Sequence, residues 1–515
     1  MLWGMSLPRI RTVPTASGAT AVQVIWRYVD RKPVLDHIGS AHSDEELALL
    51  VAKAQRLIDG DQLAFDIDTT GGVGNRGATG SADSPFAITS ERAGYLLDAI
   101  RGAFSVLGLD TATGDDRVFY DLVAARIISP GSKFESIETL EEVGVQSASY
   151  STIQRHLPGY ATAEFLDRIS GALASYAGIG PGVIVLYDVT TLYFETDKED
   201  QLRKPGFSKE RRLEPQITVG MLTDATGLPL SIGAFEGNRA ETHTMLPMIQ
   251  RLAQAYNLDD ITVVADAGMF SAANKQAIVD AGLGYILGTK QREIPAVINS
   301  WRTQHPGQDY THGQIWSAVN PAGVDKQDGN GTRLVTYYQY SQDRARRTLK
   351  GVAEQVAKAE RAVAGTVPVK RNRYVNLKAP HKAVNYKLAE KHRALAGIKG
   401  YETNRLDFTA EQVIDAYRRL FKIEKSFRMA KSDLQARPIY HRKKDSIDAH
   451  LAVVMCAMAC GHVLEQATGL SLKRLVRTLK KYRSITLNIN GQTVYAHAPL
   501  PADVSELIEK LPKSD

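Results

Sequence analysis

At 515 residues, 43% of them hydrophobic, the chain is long enough for two to four domains with sizeable cores. Its two cysteines, Cys456 and Cys460, sit among Ala and Met and read as small core residues, which excludes a disulfide framework and a cysteine-rich zinc site. The net charge of +6 is unevenly spread: residues 341–400 hold 15 Lys or Arg against 4 Asp or Glu, residues 417–450 hold 10 against 4, and the remainder is acidic.

That concentration suits a polyanion partner, and on charge alone it suits a solvated basic face equally well. No apolar run reaches the roughly 20 residues of a membrane span. Met1–Pro14 lacks the basic flank and apolar core of a signal peptide. The expectation is a cytoplasmic protein with no membrane partner.

In chain order, Ala19–Val29 alternates and is rich in β-branched and aromatic types, which predicts a strand, with Pro33–Ile38 as its hairpin partner. Ser43–Ile58 is amphipathic, and Ser43 with Glu46 predicts a capping box. Gly71–Pro85 reads as a linker. Its glycines are not followed by Gly-Lys-Ser/Thr, so no phosphate-binding loop is expected. Residues 88–178 read as mostly helical. Glu135–Val143, Gly144-Val145 and Tyr150–Leu157 resemble helix, turn, helix, a pattern that fits DNA-groove reading and also two packed helices.

From Pro181 the pattern turns to strands. Val183–Val189 is an apolar run with one acid, Asp188. Gln216–Thr223 and Leu228–Phe235 flank a hairpin turn at Asp224–Gly227. Glu241–Tyr256 reads as helix, Ile261–Ala265 as a buried strand ending at Asp266, Ser271–Ala281 as a helix capped by Ser271, and Gly284–Leu287 as a strand. Residues 290–397 break this rhythm, with a strand at Arg333–Tyr340 and a basic helix at Asp343–Ala364. Strand Gly400–Asn404 and a long helix from Thr409, boxed by Gln412, then resume it. The expected class is α/β: a mixed sheet flanked by helices, interrupted by an inserted module, with a mainly helical N-terminal region.

Acids beside buried apolar runs are costly unless paired, hydrogen-bonded or metal-bound. Asp188 and Asp266 both stand there, and a strand-end cap is the competing explanation for each. Glu424 lies among Arg418, Arg419, Lys422, Lys425, Arg428 and Lys431, where a surface i,i+4 ion pair competes. Tyr417, Glu424 and Lys431 are seven apart and would share a helix face. Asp66 and Asp68 in Phe-Asp-Ile-Asp-Thr-Thr echo the Asp188-Val-Thr-Thr segment, but they precede a Gly-rich loop instead of a strand series. Phosphodiester cleavage needs an activated water and a stabilised leaving oxygen, which converging carboxylates and two divalent ions supply.

Several segments, in order, carry a resemblance: Leu186-Tyr-Asp188-Val-Thr-Thr-Leu-Tyr-Phe-Glu195; Pro215-Gln216 through Pro229-Leu230; Phe235-Glu-Gly-Asn238 with Glu241 and Thr244; Val264-Ala-Asp266-Ala-Gly-Met269-Phe-Ser271; Gly400 to Asn404; and Tyr417 to Lys431 followed by Ile447-Asp-Ala-His450. The chain resembles the Asp-Asp-Glu (DDE) transposases of bacterial insertion sequences, in the subgroup with a large insertion in a ribonuclease-H-like catalytic domain. The family's helix signature is Tyr, two residues, Arg, three residues, Glu, six residues, Lys. Tyr417, Glu424 and Lys431 fit it, and Leu420 stands where the Arg belongs.

The resemblance implies Asp188, Asp266 and Glu424 as catalytic metal ligands, Mg²⁺ as cofactor with Mn²⁺ as substitute, and double-stranded DNA as partner: terminal inverted repeats and target DNA. It implies two-metal cleavage at element ends, then joining of the 3′-hydroxyl ends to target, by a homodimer associated with a bacterial nucleoid. An inactive DNA-binding derivative and a stand-alone ribonuclease-H-like nuclease are the alternatives. DNA contacts are expected from Tyr417, Arg418, Arg419, Lys431, Arg344, Arg346, Arg347 and Lys350. Related enzymes place an aromatic from the insertion near a flipped base, which makes Trp301 and Trp316 candidates, against ordinary core roles. The expected organisation is 1–85, a strand hairpin, helix and linker; 86–180, a helical DNA-end-binding and assembly region; 181–289 with 398–470, the catalytic domain; 290–397, an inserted basic module; and 471–515, a tail.

Overall fold

A computed structural model describes residues 9–15, 19–29, 32–41, 43, 46, 47, 50, 51, 54, 88–180, 182–194, 200, 202–204, 214–238, 244–256, 260–266, 272–320, 333–366, 372–376, 383–436, 443–489 and 492–513. Asp66, Asp68, the expected linker 71–85, Glu195, Glu241 and Ser271 lie outside them. The chain divides into two compact units, residues 1–79 and 80–515.

In the first unit, β1 (Arg9–Pro14), β2 (Thr20–Val29) and β3 (Lys32–Ala41) form an antiparallel meander, so the expected hairpin is present with one further strand beside it. Val22 and Val24 are two apart and point to one face. There they meet Ala54, Ile10, Ile38 and Leu50. Ser43 starts the helix: its Oγ accepts the Glu46 backbone N–H at 3.2 Å.

In the second unit, β4 (Ile88–Arg92) leads into helices 94–106, 109–113, 117–128, 133–142, 150–160 and 163–176. Four of them begin at a side-chain cap: Asp116, Ser132, Ser149 and Thr162 each accept the backbone N–H three residues on. Each such cap stabilises its helix by about 1 kcal/mol. Together they explain why so polar a region holds short helices.

The central sheet has eight strands. β5 (Val183–Tyr193), β6 (Gln216–Thr223) and β7 (Pro229–Glu236) run antiparallel. The β6–β7 turn is set by Asp224, whose Oδ1 accepts from the backbone of Thr226, Gly227 and Leu228, and by Gly227 at φ +98°. β8 (Ile261–Ala265) is parallel to β5, and β9 (Gly284–Thr289) is parallel to β8. The order β7-β6-β5-β8-β9 is the mixed sheet of a ribonuclease-H-like fold.

Two more strands, β10 (Ile315–Asn320) and β11 (Leu334–Tyr340), come from the segment expected to be a separate insertion. They extend the same sheet through β14 (Ile398–Thr403), which pairs with β9. The rest of that segment has its own small core. Val352, Val356 and Ala359 of helix 342–363 meet Ala389 of helix 386–394 and the two-residue strands β12 (Val375–Asn376) and β13 (Ala383–Val384).

One sheet face, carrying Val185, Tyr187 and Val263, is covered by Met245, Ile249 and Leu252 of helix 245–256 and Ile278 of helix 272–280. The other, carrying Leu186, Val264 and Ile286, packs on helices 410–418 and 420–428 and on the N-terminal helices. Helix 444–468 runs through this second core. Among the described residues it alone is long and apolar enough to cross a membrane, and 89% of its apolar window is buried inside the protein.

Residues 471–515, the expected tail, carry regular structure where described. They form helix 472–479, β15 (Ser484–Ile489), β16 (Gln492–His497) and helix 502–509. β15 pairs with β4 as well as with β16.

Candidate active site

Because β5 and β8 are parallel, with Leu186 opposite Val264, the residues two further on emerge abreast on the same face. These are Asp188 and Asp266, on neighbouring strands about 4.8 Å apart. They emerge on the face covered by helices 410–418 and 420–428, since Leu186 and Val264 belong to the core beneath those helices. Asp188 is half-buried, and its Oδ1 accepts the Val189 backbone N–H at 2.9 Å. Asp266 is exposed.

Glu424, exposed on helix 420–428, lines a cavity of about 530 Å³ together with Asp188 and Asp266. The three acids therefore share one space. They do not close into a cage: among the described residues no three His, Cys, Asp or Glu side chains are grouped to hold an ion. Their donor chemistry, carboxylate oxygen throughout, suits a hard divalent cation. The strand register makes the aspartates the preset pair.

Tyr417, two helical turns from Glu424, is one of the expected DNA contacts. Its ring is buried (7% exposed), and its hydroxyl donates to Asp266 Oδ1 at 2.7 Å. Burial first, and then the Asp266 carboxylate, push its phenol pKa up and keep it a donor. The reason is local. The Thr409–Gln412 capping box starts the helix as expected, but the helix does not run straight through. The Lys422 N–H bonds back three residues to the Arg419 carbonyl at 2.8 Å, and Met429–Asp433 then loosens into a π-helical turn. Tyr417 and Glu424 still line one cavity across the tightened turn, whereas Lys431, in the π-helical turn, does not line it. Gly288 on β9 leaves the space, since a Cβ there would meet the Tyr417 hydroxyl.

The expected DNA-contact arginines and lysines separate into two groups. Arg418 lines the acid cavity and donates to Gln339 at 3.0 Å, whereas Arg419 is exposed and does not line it. Leu420, in the family's Arg position, is buried and lines the cavity. Lys431 is half-buried in the π-helical turn and does not line it. On helix 342–363, Arg344 lines this cavity and a second one of about 560 Å³ that also includes Asp266, and Arg347 lines the second. Arg344 Nη1 is buried with no hydrogen-bond partner. Arg346 and Lys350 point outward and pair with Asp343 at 2.6 Å and Glu354 at 4.0 Å.

Sequence reasoning missed Lys399. It lies on β14, lines both cavities, and holds its ammonium 4.1 Å above the Tyr417 ring. Burial lowers its pKa, Arg344 adds to that, and Asp266 and Glu424 oppose it. The only signal in the sequence is a lysine next to Ile398 at the start of a short strand that also carries Glu402. Arg373 and His392, lining the second cavity, also went unnoticed. Trp301 and Trp316 pack with Tyr310 in an aromatic cluster, and Trp316 is buried there. A core role suits that placement better than a base contact.

Residues 179–460 match the family described as the transposase DDE domain. The chain belongs to that family. The match begins just before β5 and ends inside helix 444–468, so it contains the whole eight-stranded sheet, both cavities and all three acids. Among solved structures the DDE chain is similar to a piggyBac transposase in a synaptic complex with hairpin DNA, at 10% identity and a TM-score of 0.34, over 74% of this chain and 70% of that one. No curated protein matches it.

Proposed function

We propose that the chain is a DNA transposase that binds the terminal inverted repeats of its element, cleaves there, and joins the 3′-hydroxyl ends to target DNA. One observation carries this reading: Asp188 within β5 and Asp266 just past the parallel strand β8 share a cavity with Glu424 and with the cations Arg344, Lys399 and Arg418. Asp188, Asp266 and Glu424 would hold divalent cations, Mg²⁺ with Mn²⁺ as substitute. When bound, these would supply an activated water and charge stabilisation of the leaving oxygen.

The chain's own groups have distinct tasks in this proposal. Tyr417 fixes one oxygen of Asp266. Arg344 and Lys399 offer donors to a phosphodiester beside the acids, where a charge-assisted bond is strong. Residues 86–180 would recognise element ends, and a homodimer in the nucleoid would bring two ends together. The segment 290–397 would add the basic wall of the DNA channel.

Incubating the protein with a labelled duplex carrying the element's terminal repeats tests the reading. We expect cleavage at the repeat with Mg²⁺ or Mn²⁺ and none in excess chelator. Unchanged cleavage in chelator would falsify it.

A further inference from the structure

A cavity of about 620 Å³ lies apart from the acid cavity. It opens at the N-terminus of helix 133–142 and is lined by Arg126, Lys133, Phe134, Tyr150, Lys443 and His450, among others. Arg126 is only 9% exposed, yet among the described residues its guanidinium has a single hydrogen bond, a 3.5 Å contact to the Leu434 carbonyl. A guanidinium has five N–H donors to satisfy.

Among the described residues, the one acid on the wall is Glu135. It is committed to the capping box, where its carboxylate accepts the Ser132 backbone N–H at 2.5 Å. Among the described residues the wall carries Arg126, Lys133 and Lys443 beside Glu135, and a helix start adds positive potential. Burial pushes Arg126 down to about 10 and Lys133 down to about 8, with Arg126 adding like-charge repulsion to Lys133. An anion inside would relieve that cost.

The mouth is aromatic. Phe134 and Tyr150 are 57% and 43% exposed, with ring centroids 6.5 Å apart. Large exposed rings beside a cationic pocket are what an unstacked base with its phosphate requires. They also sit at the start of each helix in the helix-turn-helix segment, 133–142 and 150–160.

We propose that this cavity is a single-strand DNA site, in which Arg126 and Lys133 hold a backbone phosphate while the adjoining base leaves its stack to lie on Phe134 and Tyr150. The inference rests on DNA being the partner and not on the acid cavity.

Fluorescence anisotropy of the full-length protein with a labelled single-stranded 12-mer and with the blunt duplex of the same sequence tests it. The variants are Phe134→Ala and Tyr150→Ala, both at exposed positions, and Lys133→Gln. We expect each aromatic loss to weaken single-strand binding about 5-fold or more and to change duplex binding less, as removing one stacked base predicts. Lys133→Gln should reduce the slope of log affinity against log salt by about 0.7.

Unchanged single-strand affinity in all three variants, with unfolding temperatures intact, overturns the proposal. So does an equal loss on duplex and single strand. Displacement of the 12-mer by dAMP or inorganic phosphate at matching affinity would assign the pocket to free anions and overturn it too. Cleavage by the acid cavity is read separately, so failure here leaves the transposase reading standing.

Discussion

The Tyr417 hydroxyl donates to Asp266 at 2.7 Å, and the same ring lies beneath the Lys399 ammonium at 4.1 Å. One buried side chain thereby ties an expected metal ligand to the cation beside it. Its own position depends on a glycine on the next strand.

Tyr417→Phe removes only the hydroxyl. Cleavage should fall roughly 10-fold, and the Mg²⁺ concentration at half-maximal rate should rise, as when a partner orienting a ligand is lost. Gly288→Ala should give a similar phenotype without touching Tyr417. A metal titration of cleavage rate checks both. An unchanged titration would reduce the Tyr417–Asp266 bond to a packing detail.

Asp188→Ala, Asp266→Ala and Glu424→Ala should each abolish cleavage, by 10³-fold or more, and leave affinity for element ends within a few-fold. The division follows from the chemistry, since backbone affinity comes from Lys and Arg. Gel-shift and cleavage assays on the same preparations read the two properties. Loss of binding in parallel with cleavage would contradict it.

Helix 342–363 should divide by direction. Arg344→Gln and Arg347→Gln line the cavities and should weaken DNA binding about 10-fold at moderate salt. Arg346→Gln and Lys350→Gln, already paired with acids and exposed, should change it less than 2-fold. Equal effects from both pairs would show the whole helix to be one undirected basic face.

Asp121 gives a stability prediction. Its Oδ2 is buried without a hydrogen bond, and burial raises its pKa to about 6, with Arg117 at 3.7 Å opposing. Below about pH 4 the carboxyl is protonated folded or unfolded, so its titration contributes nothing. Between about 4 and 6 only the unfolded chain ionises, so stability falls as pH rises and the full cost is present at pH 7. Asp121→Asn should therefore stabilise by about 1–2 kcal/mol at pH 7.5. That is less than the full ~1.4 kcal/mol per pKa unit, because the charge is partly screened. The gain should vanish by pH 4. Thermal melts across that range decide it, and a gain independent of pH would exclude the ionisation as cause.

The aspartates were legible because period and length alone mark Val183–Val189 and Ile261–Ala265 as buried strands, and an acid at the end of each stands out. The Thr409 cap was legible because Gln412 lies within one turn of it. Tyr417 was not, because its role depends on a tightened turn at Arg419–Lys422 and on Gly288 of a distant strand. Lys399 was not, because one lysine between Ile398 and Gly400 has no periodicity to betray it. β10 and β11 looked like parts of a separate module because nothing in a strand's own sequence names its partner. Register is decided by which sheet edge it meets.

The pairing of β4 with β15 joins residues 88–92 to residues 484–487. During synthesis, β4 emerges with the first part of this unit, and its described partner emerges almost four hundred residues later. Until then the helical layer has an open strand edge, which is a place where another chain can pair. Closure across so long a separation is slow. A ribosome that stalls after residue 424 and before residue 484 would release a protein with all three acids present and its sheet edge uncovered. Such fragments would fail by aggregation and not by loss of chemistry.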